Sequence, residues 1–384
     1  AAIATAGINV LTTDQVQKLT ASQLGALTTA QVVALSTDSV KALTTAQISA
    51  LSTDDVAALT SDQVAAIETE DLSKMLAGQI KALTSDQVIS LTTEQLEALS
   101  TLQISALTTN ALSALTSDQI MALETADLAK LTTGQVRALT TEQVASLTTD
   151  QVRALTIAQT VALSSDQVVA LTTDQFGVLT GTQINGLAAD KVAAIETSDL
   201  AKLTTAAVAE LNANAISSLT AGQAANLTTD QIKALTTAQI VALSGDQLSE
   251  FTVSQISALR TSQIRAIETT DISSLETTQI AGLLTSQVAS LTTSQITELT
   301  TSQIAAIETI DLRVLSKSQI LALDTTQLDA MGTEQIAALT TSQIQSLTTS
   351  HIVNLSDIQL EALTTVQVAA LTSSQIRAMT SDQV

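Results

Sequence analysis

Pairs of carboxylates three residues apart are the feature of this sequence that comes nearest to a chemical site. A Glu precedes an Asp by three residues at five places: Glu68 and Asp71, Glu124 and Asp127, Glu196 and Asp199, Glu268 and Asp271, and Glu308 and Asp311. At a helix start such side chains share a face and repel, unless a cation, a base or the helix dipole offsets their charge. Hard cations bind several oxygen ligands. These ten residues are therefore candidate Ca²⁺ ligands, with Thr or backbone oxygens completing the shell.

The same pairs also have a purely structural interpretation. Lys74, Lys130 and Lys202 follow the Asp by three residues in three of the units, where they could form ion pairs with it. Two carboxylates supply few of the oxygens that Ca²⁺ binds, and the EF-hand loop pattern is absent. A local, ion-paired variant of a helix cap is thus the alternative to a calcium site.

Nothing else in the sequence predicts catalysis. The chain has no Cys, and its single His, His351, has no paired Ser or second His in a recognisable motif. The many Ser and Thr residues lack an orienting base, which nucleophilic catalysis by a hydroxyl requires. We expect that His351 is a solvent-facing variant of a helix cap, that the protein is not an enzyme, and that it has no cofactor other than a candidate Ca²⁺.

The elements that must position these residues repeat every eight residues. We label the eight positions of this octad a to h, as in the stretch 139–146, where Leu139 is a, Thr140 is b, Gln143 is e and Val144 is f. All 48 a positions hold Leu, Ile, Met or Phe, and the f positions are apolar apart from substitutions such as Thr160. A repeat without insertion or linker predicts one continuous array of about 48 repeats over residues 1–384. The last unit stops at its f position, which indicates a segment of a longer chain.

Helix-start signals recur in almost every octad. A strand would place a and f on opposite faces, so the two apolar rows could not share one core. In one long helix, each octad would be rotated by about 80° from the last, and the a row would wind around the whole helix. A new helix must therefore begin in each octad. Thr140 and Gln143 form a capping-box pattern, and Leu139 and Val144 form a hydrophobic staple. The pattern predicts a helix of about six or seven residues per octad.

Charges are sorted as helix dipoles require. Of the 37 acidic residues, 17 lie at d, 7 at b and 6 at e, near the predicted starts, whereas 12 of the 15 basic residues lie at g or h, near the ends. Helices this short are stable only when they bury apolar rows against neighbours. The predicted fold is therefore all-α, an α-solenoid (superhelix) of very short helices, in which two, three or four octads could complete one turn.

Composition limits the partners. A net charge of −22 disfavours nucleic acid and anionic membranes, and no apolar run is long enough for a transmembrane segment. The 45% hydrophobic content is too high for a disordered acidic chain.

Two resemblances add to this picture. Residues 59–67 resemble the opening helix of the repeats in TAL effectors, but those repeats are longer and carry a second helix and basic residues, so DNA binding is not transferred. The whole chain, which is acidic, rich in Thr and Ala and free of Cys, resembles bacterial surface-layer and giant repetitive cell-surface proteins. That resemblance implies an extracellular or cell-surface structural protein, often with Ca²⁺, that self-associates into sheets, tubes or filaments.

The expected function is accordingly structural. An acidic repeat solenoid would bind copies of itself and form an extracellular filament, tube or surface layer, because a contact that does not close on itself generates a fibre. The alternative is an adhesin stalk or a protein-binding solenoid on the cell surface.

Overall fold

The structure is a computed structural model that describes residues 5–381 and 383. These residues form 47 α-helices of four to six residues and contain no strand, so the predicted all-α class is confirmed. The chain divides into two compact units, Ala1–Ile195 and Glu196–Val384. The prediction of one continuous array over the whole chain stays a prediction, and each unit is described by itself.

Unit 1 contains the first 24 helices. They are α1 (Thr5–Ile8), α2 (Thr13–Gln17), α3 (Ala21–Leu24), α4 (Thr29–Val33), α5 (Thr37–Lys41), α6 (Thr45–Ile48), α7 (Thr53–Ala58), α8 (Ser61–Ala65), α9 (Thr69–Lys74), α10 (Ala77–Ala82), α11 (Ser85–Ile89), α12 (Thr93–Glu97), α13 (Thr101–Ala106), α14 (Thr109–Ala114), α15 (Ser117–Ala122), α16 (Thr125–Leu128), α17 (Thr133–Ala138), α18 (Thr141–Ser146), α19 (Thr149–Ala154), α20 (Ile157–Ala162), α21 (Ser165–Ala170), α22 (Thr173–Phe176), α23 (Gly181–Asn185) and α24 (Ala189–Ala194).

Unit 2 contains the other 23 helices of the described residues. They are α25 (Thr197–Leu200), α26 (Thr205–Glu210), α27 (Ala213–Ser217), α28 (Ala221–Ala225), α29 (Thr229–Ala234), α30 (Thr237–Val241), α31 (Gly245–Ser249), α32 (Val253–Ala258), α33 (Thr261–Ile264), α34 (Thr269–Ile272), α35 (Thr277–Ala281), α36 (Thr285–Ser290), α37 (Thr293–Glu298), α38 (Thr301–Ala306), α39 (Thr309–Leu312), α40 (Lys317–Leu321), α41 (Thr325–Asp329), α42 (Thr333–Ala338), α43 (Thr341–Ser346), α44 (Thr349–Val353), α45 (Asp357–Glu361), α46 (Thr365–Ala370) and α47 (Ser373–Ala378).

Two extended residues follow each helix of six residues. Leu147, which ends α18 and occupies position a of the next octad, has φ −54° and ψ 137°, and the b residue Thr148 has φ −68° and ψ 157°. Since a and b are both extended there, at most six of the eight residues remain helical. Of the expected six or seven residues, six is therefore the upper limit, and helices of five and four residues also occur. No described residue has a positive φ, so the connection requires no Gly.

Three octads complete one turn of the superhelix in each unit. In unit 1, α10 packs on α13 and α14 packs on α17, and in unit 2, α26 packs on α29 and α35 packs on α38. The sequence left two, three and four octads open. The contacts between every third helix select three.

The a and f side chains form the core of both units. Leu139 is 4% exposed and Val144 is fully buried, as the hydrophobic staple requires. Burying such a side chain stabilises the fold by about 1.5–3 kcal/mol. Thr160, the polar exception at f, is also buried, and its hydroxyl donates to the Thr156 carbonyl. In the described part of the chain, none of the helices is long and apolar enough to cross a membrane.

Candidate functional site

The Gln side chain at position e caps the N-terminus of its own helix. In α18 the Thr140 N–H donates to Gln143 Oε1 at 2.8 Å, and the Gln143 N–H donates to Thr140 Oγ1 at 3.2 Å. This reciprocal pair satisfies two N–H groups that the first turn of a helix leaves free. The predicted capping box is confirmed.

The other end of the same Gln joins successive turns of the superhelix. Gln143 Nε2 donates to the carbonyl of Leu112 at 2.9 Å and to that of Leu115 at 2.6 Å, which precede it by 31 and 28 residues. Gln295 in unit 2 donates to the carbonyls of Ile264 and Ile267, both at 2.8 Å. We call these two acceptors, the a carbonyl of the octad three earlier and the f carbonyl three residues before it, the carbonyl pair, and their bonds to Nε2 the amide clamp.

The amide clamp explains why Gln predominates at e. Leu115, at position a, is extended, so its carbonyl accepts no backbone hydrogen bond in the described chain and depends on Gln143. A capping box tolerates Glu as well as Gln at this position. Glu nevertheless occupies no e position in the sequence, and the only carboxylates there are those of six Asp residues; a carboxylate supplies the cap acceptor but no donor. The preference for Gln over Glu at e is the signal from which the clamp could have been predicted.

Lys191 and His351 replace Gln at position e, and each still supplies an N–H donor. Lys191 Nζ donates to the carbonyls of Val161 and Leu163 at 2.9 and 2.5 Å, 30 and 28 residues earlier. A positive charge can therefore occupy the place of the Gln amide.

His351 makes both kinds of contact that a Gln at position e makes, the contact with its own N-cap and the contact with an earlier carbonyl. Its Nδ1 accepts from the Thr348 N–H at 3.3 Å, and its ring also bonds to the carbonyl of Leu323, 28 residues earlier. His351 is thus a cap variant, as expected, but the expectation that it faces solvent was wrong, because it is only 7% exposed. Burial lowers the pKa of His351 more than the Leu323 carbonyl and the Asp324 charge raise it, which favours the neutral ring.

The paired carboxylates lie in different environments. The Glu members sit at N-caps, are exposed and make no cap hydrogen bond with their side chains, at Glu68, Glu124, Glu196, Glu268 and Glu308. The Asp members occupy position e. Four of them are buried, namely Asp71, Asp127, Asp199 and Asp311, and Asp271 is half-buried. The structure therefore places one carboxylate of each pair at the surface and the other at, or close to, the carbonyl pair.

Neighbouring groups differ among the buried Asp residues. Asp71 Oδ1 accepts a hydrogen bond of 2.6 Å from Thr45 Oγ1. Asp311 Oδ1 is fully buried and has no hydrogen-bond partner among the described residues. A buried, unsatisfied oxygen costs about 1–3 kcal/mol, and more when it is charged.

The predicted Lys partners do not pair with the two Asp residues of unit 1. Within the described residues, Lys74 forms no ion pair with Asp71, and Lys130 forms none with Asp127, whereas the exposed pair Arg153–Asp150 is formed at 3.0 Å. No group of three or more His, Cys, Asp or Glu side chains arranged for a metal occurs in that part of the chain. Any cation at these positions must therefore use backbone or hydroxyl oxygens.

A groove gives solvent access to one of the paired units. It has a volume of about 650 Å³ and lies beside Asp71 in unit 1. Its lining is mostly polar and includes Asp38, Lys41, Thr45, Glu68, Glu70 and Asp71.

Acidic side chains at position d stabilise the first turn. The N–H of Glu142 itself and then the hydroxyl of Thr140 lower the pKa of the Glu142 carboxyl, and Glu94 behaves in the same way. The enrichment of acids at d thus has the electrostatic cause that was predicted from the sequence.

These features define the class of protein. A short helix in every octad, three octads per turn and a repeated amide clamp describe an α-solenoid repeat protein. The family model described as the ALTTAQ repeat matches ten segments, residues 1–37, 32–66, 64–101, 91–125, 120–157, 192–229, 225–261, 264–301, 304–341 and 357–384. The chain belongs to the ALTTAQ repeat family. No curated protein matches the chain.

Proposed function

We propose that this protein is a structural, non-enzymatic solenoid that assembles with copies of itself, outside the cell or at its surface. The observation that carries the proposal is the repetition of one set of contacts. Within each unit, every turn offers the next turn apolar f side chains and a carbonyl pair. A turn can accept a neighbour from its own chain or from another copy through the same groups.

Exposed apolar side chains occur along the sides of the units, away from the packed a and f rows. In unit 1, Leu102 at position d is 70% exposed and Ile157 at position c is 52% exposed. Contact with another copy would bury such side chains.

Charge makes such assembly dependent on salt. The net charge of −22 is carried mainly at d and b positions on the outside of the helices, so the sides of two copies repel at low salt. Assembly should therefore increase as salt screens this repulsion.

The test is the assembly state of the full chain, measured by sedimentation velocity and negative-stain electron microscopy. We expect filaments that a double substitution of exposed apolar side chains in unit 1, Leu102→Asp with Ile157→Asp, weakens or abolishes. Both residues are exposed, so the fold should survive, which circular dichroism checks.

The matched control adds two charges at exposed polar d positions, with Ser286→Asp and Ser294→Asp. This variant should assemble like the original chain. Dispersed monomers of the original chain under all salt and Ca²⁺ conditions would contradict the proposal and favour a protein-binding solenoid or adhesin stalk. Equal loss of assembly in both variants would contradict the exposed apolar side chains as the contact.

A further inference from the structure

Asp at position e removes the donor that the carbonyl pair needs. Gln, His351 and Lys191 each present an N–H to the a carbonyl of the octad three earlier. An ionised carboxylate has only acceptor oxygens. An Asp at e therefore places its carboxylate oxygens opposite backbone carbonyl oxygens. These acceptors repel one another unless a proton or a cation lies between them.

The carbonyls opposite the buried Asp residues show this loss. Leu283 precedes Asp311 by 28 residues, the spacing at which Gln donates, and its carbonyl accepts no hydrogen bond in the described chain. The same is true, among the described residues, of Leu43 for Asp71 and of Leu99 for Asp127. Each of these three octads thus has an a carbonyl without a donor near a buried carboxylate.

Asp311 carries the clearest sign of a missing ligand. Its Oδ1 is fully buried and unpartnered within the described residues, although the side chain as a whole is 4% exposed. Lys191 shows that the a carbonyl of the pair, here Leu163, accepts a positive charge at hydrogen-bond distance, together with the neighbouring carbonyl of Val161. A cation at the same position would satisfy both the carboxylate and the carbonyls.

A Thr hydroxyl adds a further oxygen. Thr45 precedes Asp71 by 26 residues and is in contact with its carboxylate at 2.6 Å. Thr101 and Thr285 occupy the same register relative to Asp127 and Asp311. A carboxylate, backbone carbonyls and a hydroxyl are the all-oxygen ligands that Ca²⁺ prefers, and the groove beside Asp71 admits water to complete the shell.

We propose that the Asp-bearing octads at Asp71, Asp127 and Asp311 each bind Ca²⁺ between the Asp carboxylate and the carbonyl pair that lies 31 and 28 residues earlier. The ion replaces the amide clamp and joins successive turns of the superhelix. The exposed Glu at position b, three residues before each Asp, adds negative charge at the mouth of the site. Bound Ca²⁺ would then be required for the array to reach its full rigidity.

The experiment compares two triple variants of the full chain. In the first, Asp71→Gln, Asp127→Gln and Asp311→Gln restore the amide clamp. In the control, Asp62→Gln, Asp118→Gln and Asp246→Gln remove the same charge from exposed d positions. Calcium chloride is titrated into each protein by isothermal calorimetry, and the melting temperature is measured with and without Ca²⁺ by circular dichroism.

We expect the original chain and the control to bind Ca²⁺ and to melt at higher temperature in its presence. The clamp-restoring variant should bind three fewer ions, and without Ca²⁺ it should melt at higher temperature than the original chain. Absence of Ca²⁺ binding by the original chain, or equal loss in both variants, would overturn the proposal. Stabilisation of the original chain by acid but not by Ca²⁺ would also overturn it, because a proton would then fill the gap.

Discussion

Replacing one clamp Gln by Glu isolates the amide donor from the cap. Gln295 is 1% exposed, its Oε1 accepts from the Thr292 N–H at 2.9 Å, and its Nε2 donates to Ile264 and Ile267. Gln295→Glu keeps the size and the cap acceptor but turns the donor into an oxygen. Two hydrogen bonds of about 0.5–1.5 kcal/mol each are lost, and buried acceptors are left facing one another. We expect a loss of about 3–5 kcal/mol at neutral pH.

The loss should depend on pH in a defined direction. Burial and the two carbonyl oxygens raise the pKa of the introduced carboxyl above its unfolded value of about 4.3. A raised folded-state pKa means that the protonated form, which can donate to Ile267, is stable at low pH, and that stability is lost as pH rises through the folded-state pKa. The destabilisation should therefore be smaller at about pH 5 than at about pH 8.

The assay is hydrogen exchange measured by mass spectrometry, because a repeat array can unfold piecewise and a single unfolding free energy need not describe it. Exchange should accelerate in α37, which carries Gln295, and at the end of α33, where the clamp acceptor Ile264 lies. The control is Ser294→Glu, which adds the same charge at the adjacent exposed d position. If Gln295→Glu exchanged as slowly as Ser294→Glu at neutral pH, the clamp would contribute nothing and the reasoning would be refuted.

Three further predictions concern the core, the cap and the buried His. Leu139→Ala should destabilise the array by about 2–5 kcal/mol, whereas Leu102→Ala, at a 70% exposed residue, should change stability by less than about 0.5 kcal/mol in urea denaturation. Thr140→Ala should cost about 0.5–2 kcal/mol through loss of the N-cap acceptor, and Thr140→Ser should restore most of it; equal melting temperatures would count against the cap. Because burial lowers the pKa of His351, stability should fall as pH drops below the unfolded value of about 6.5. His351→Gln should remove that part of the pH dependence, and unchanged pH profiles would contradict a buried neutral ring.

The local structure could be derived from the octad because its determinants are local. The cap of Thr140, the reciprocal Gln143 and the staple of Leu139 on Val144 all lie within six residues. The longer of the two expected helix lengths was too long because position a was not recognised as extended, like Leu147.

The superhelical repeat could not be derived in the same way. It depends on contacts between residues 28 and 31 positions apart, such as those from Gln143 to Leu115 and Leu112. Position preferences within one octad do not contain that distance. The preference for Gln over Glu at e does indicate that the amide is needed, but it does not say which carbonyl receives it.

The candidate site was predicted in part. The spacing identified the five Glu and Asp pairs. It placed both members of a pair on one helix face, and so it did not predict that the Asp is more buried than the Glu. Glu68 is exposed, whereas Asp71 is buried, since b lies outside the helix and e points toward the previous turn. The role of the carbonyl pair becomes visible only when the turns are stacked.

The most direct test of the three-octad turn is a set of distances between exposed d positions. The chain has no Cys, so Cys pairs can be introduced and spin-labelled cleanly at Asp118 with Gly134, Glu142 or Asp150, which lie 16, 24 and 32 residues further on. Double electron–electron resonance should give the shortest distance for Asp118 with Glu142, because three octads return the chain to the same side of the superhelix. A shortest distance for the pair with Gly134 or Asp150 would mean two or four octads per turn and would contradict the amide clamp.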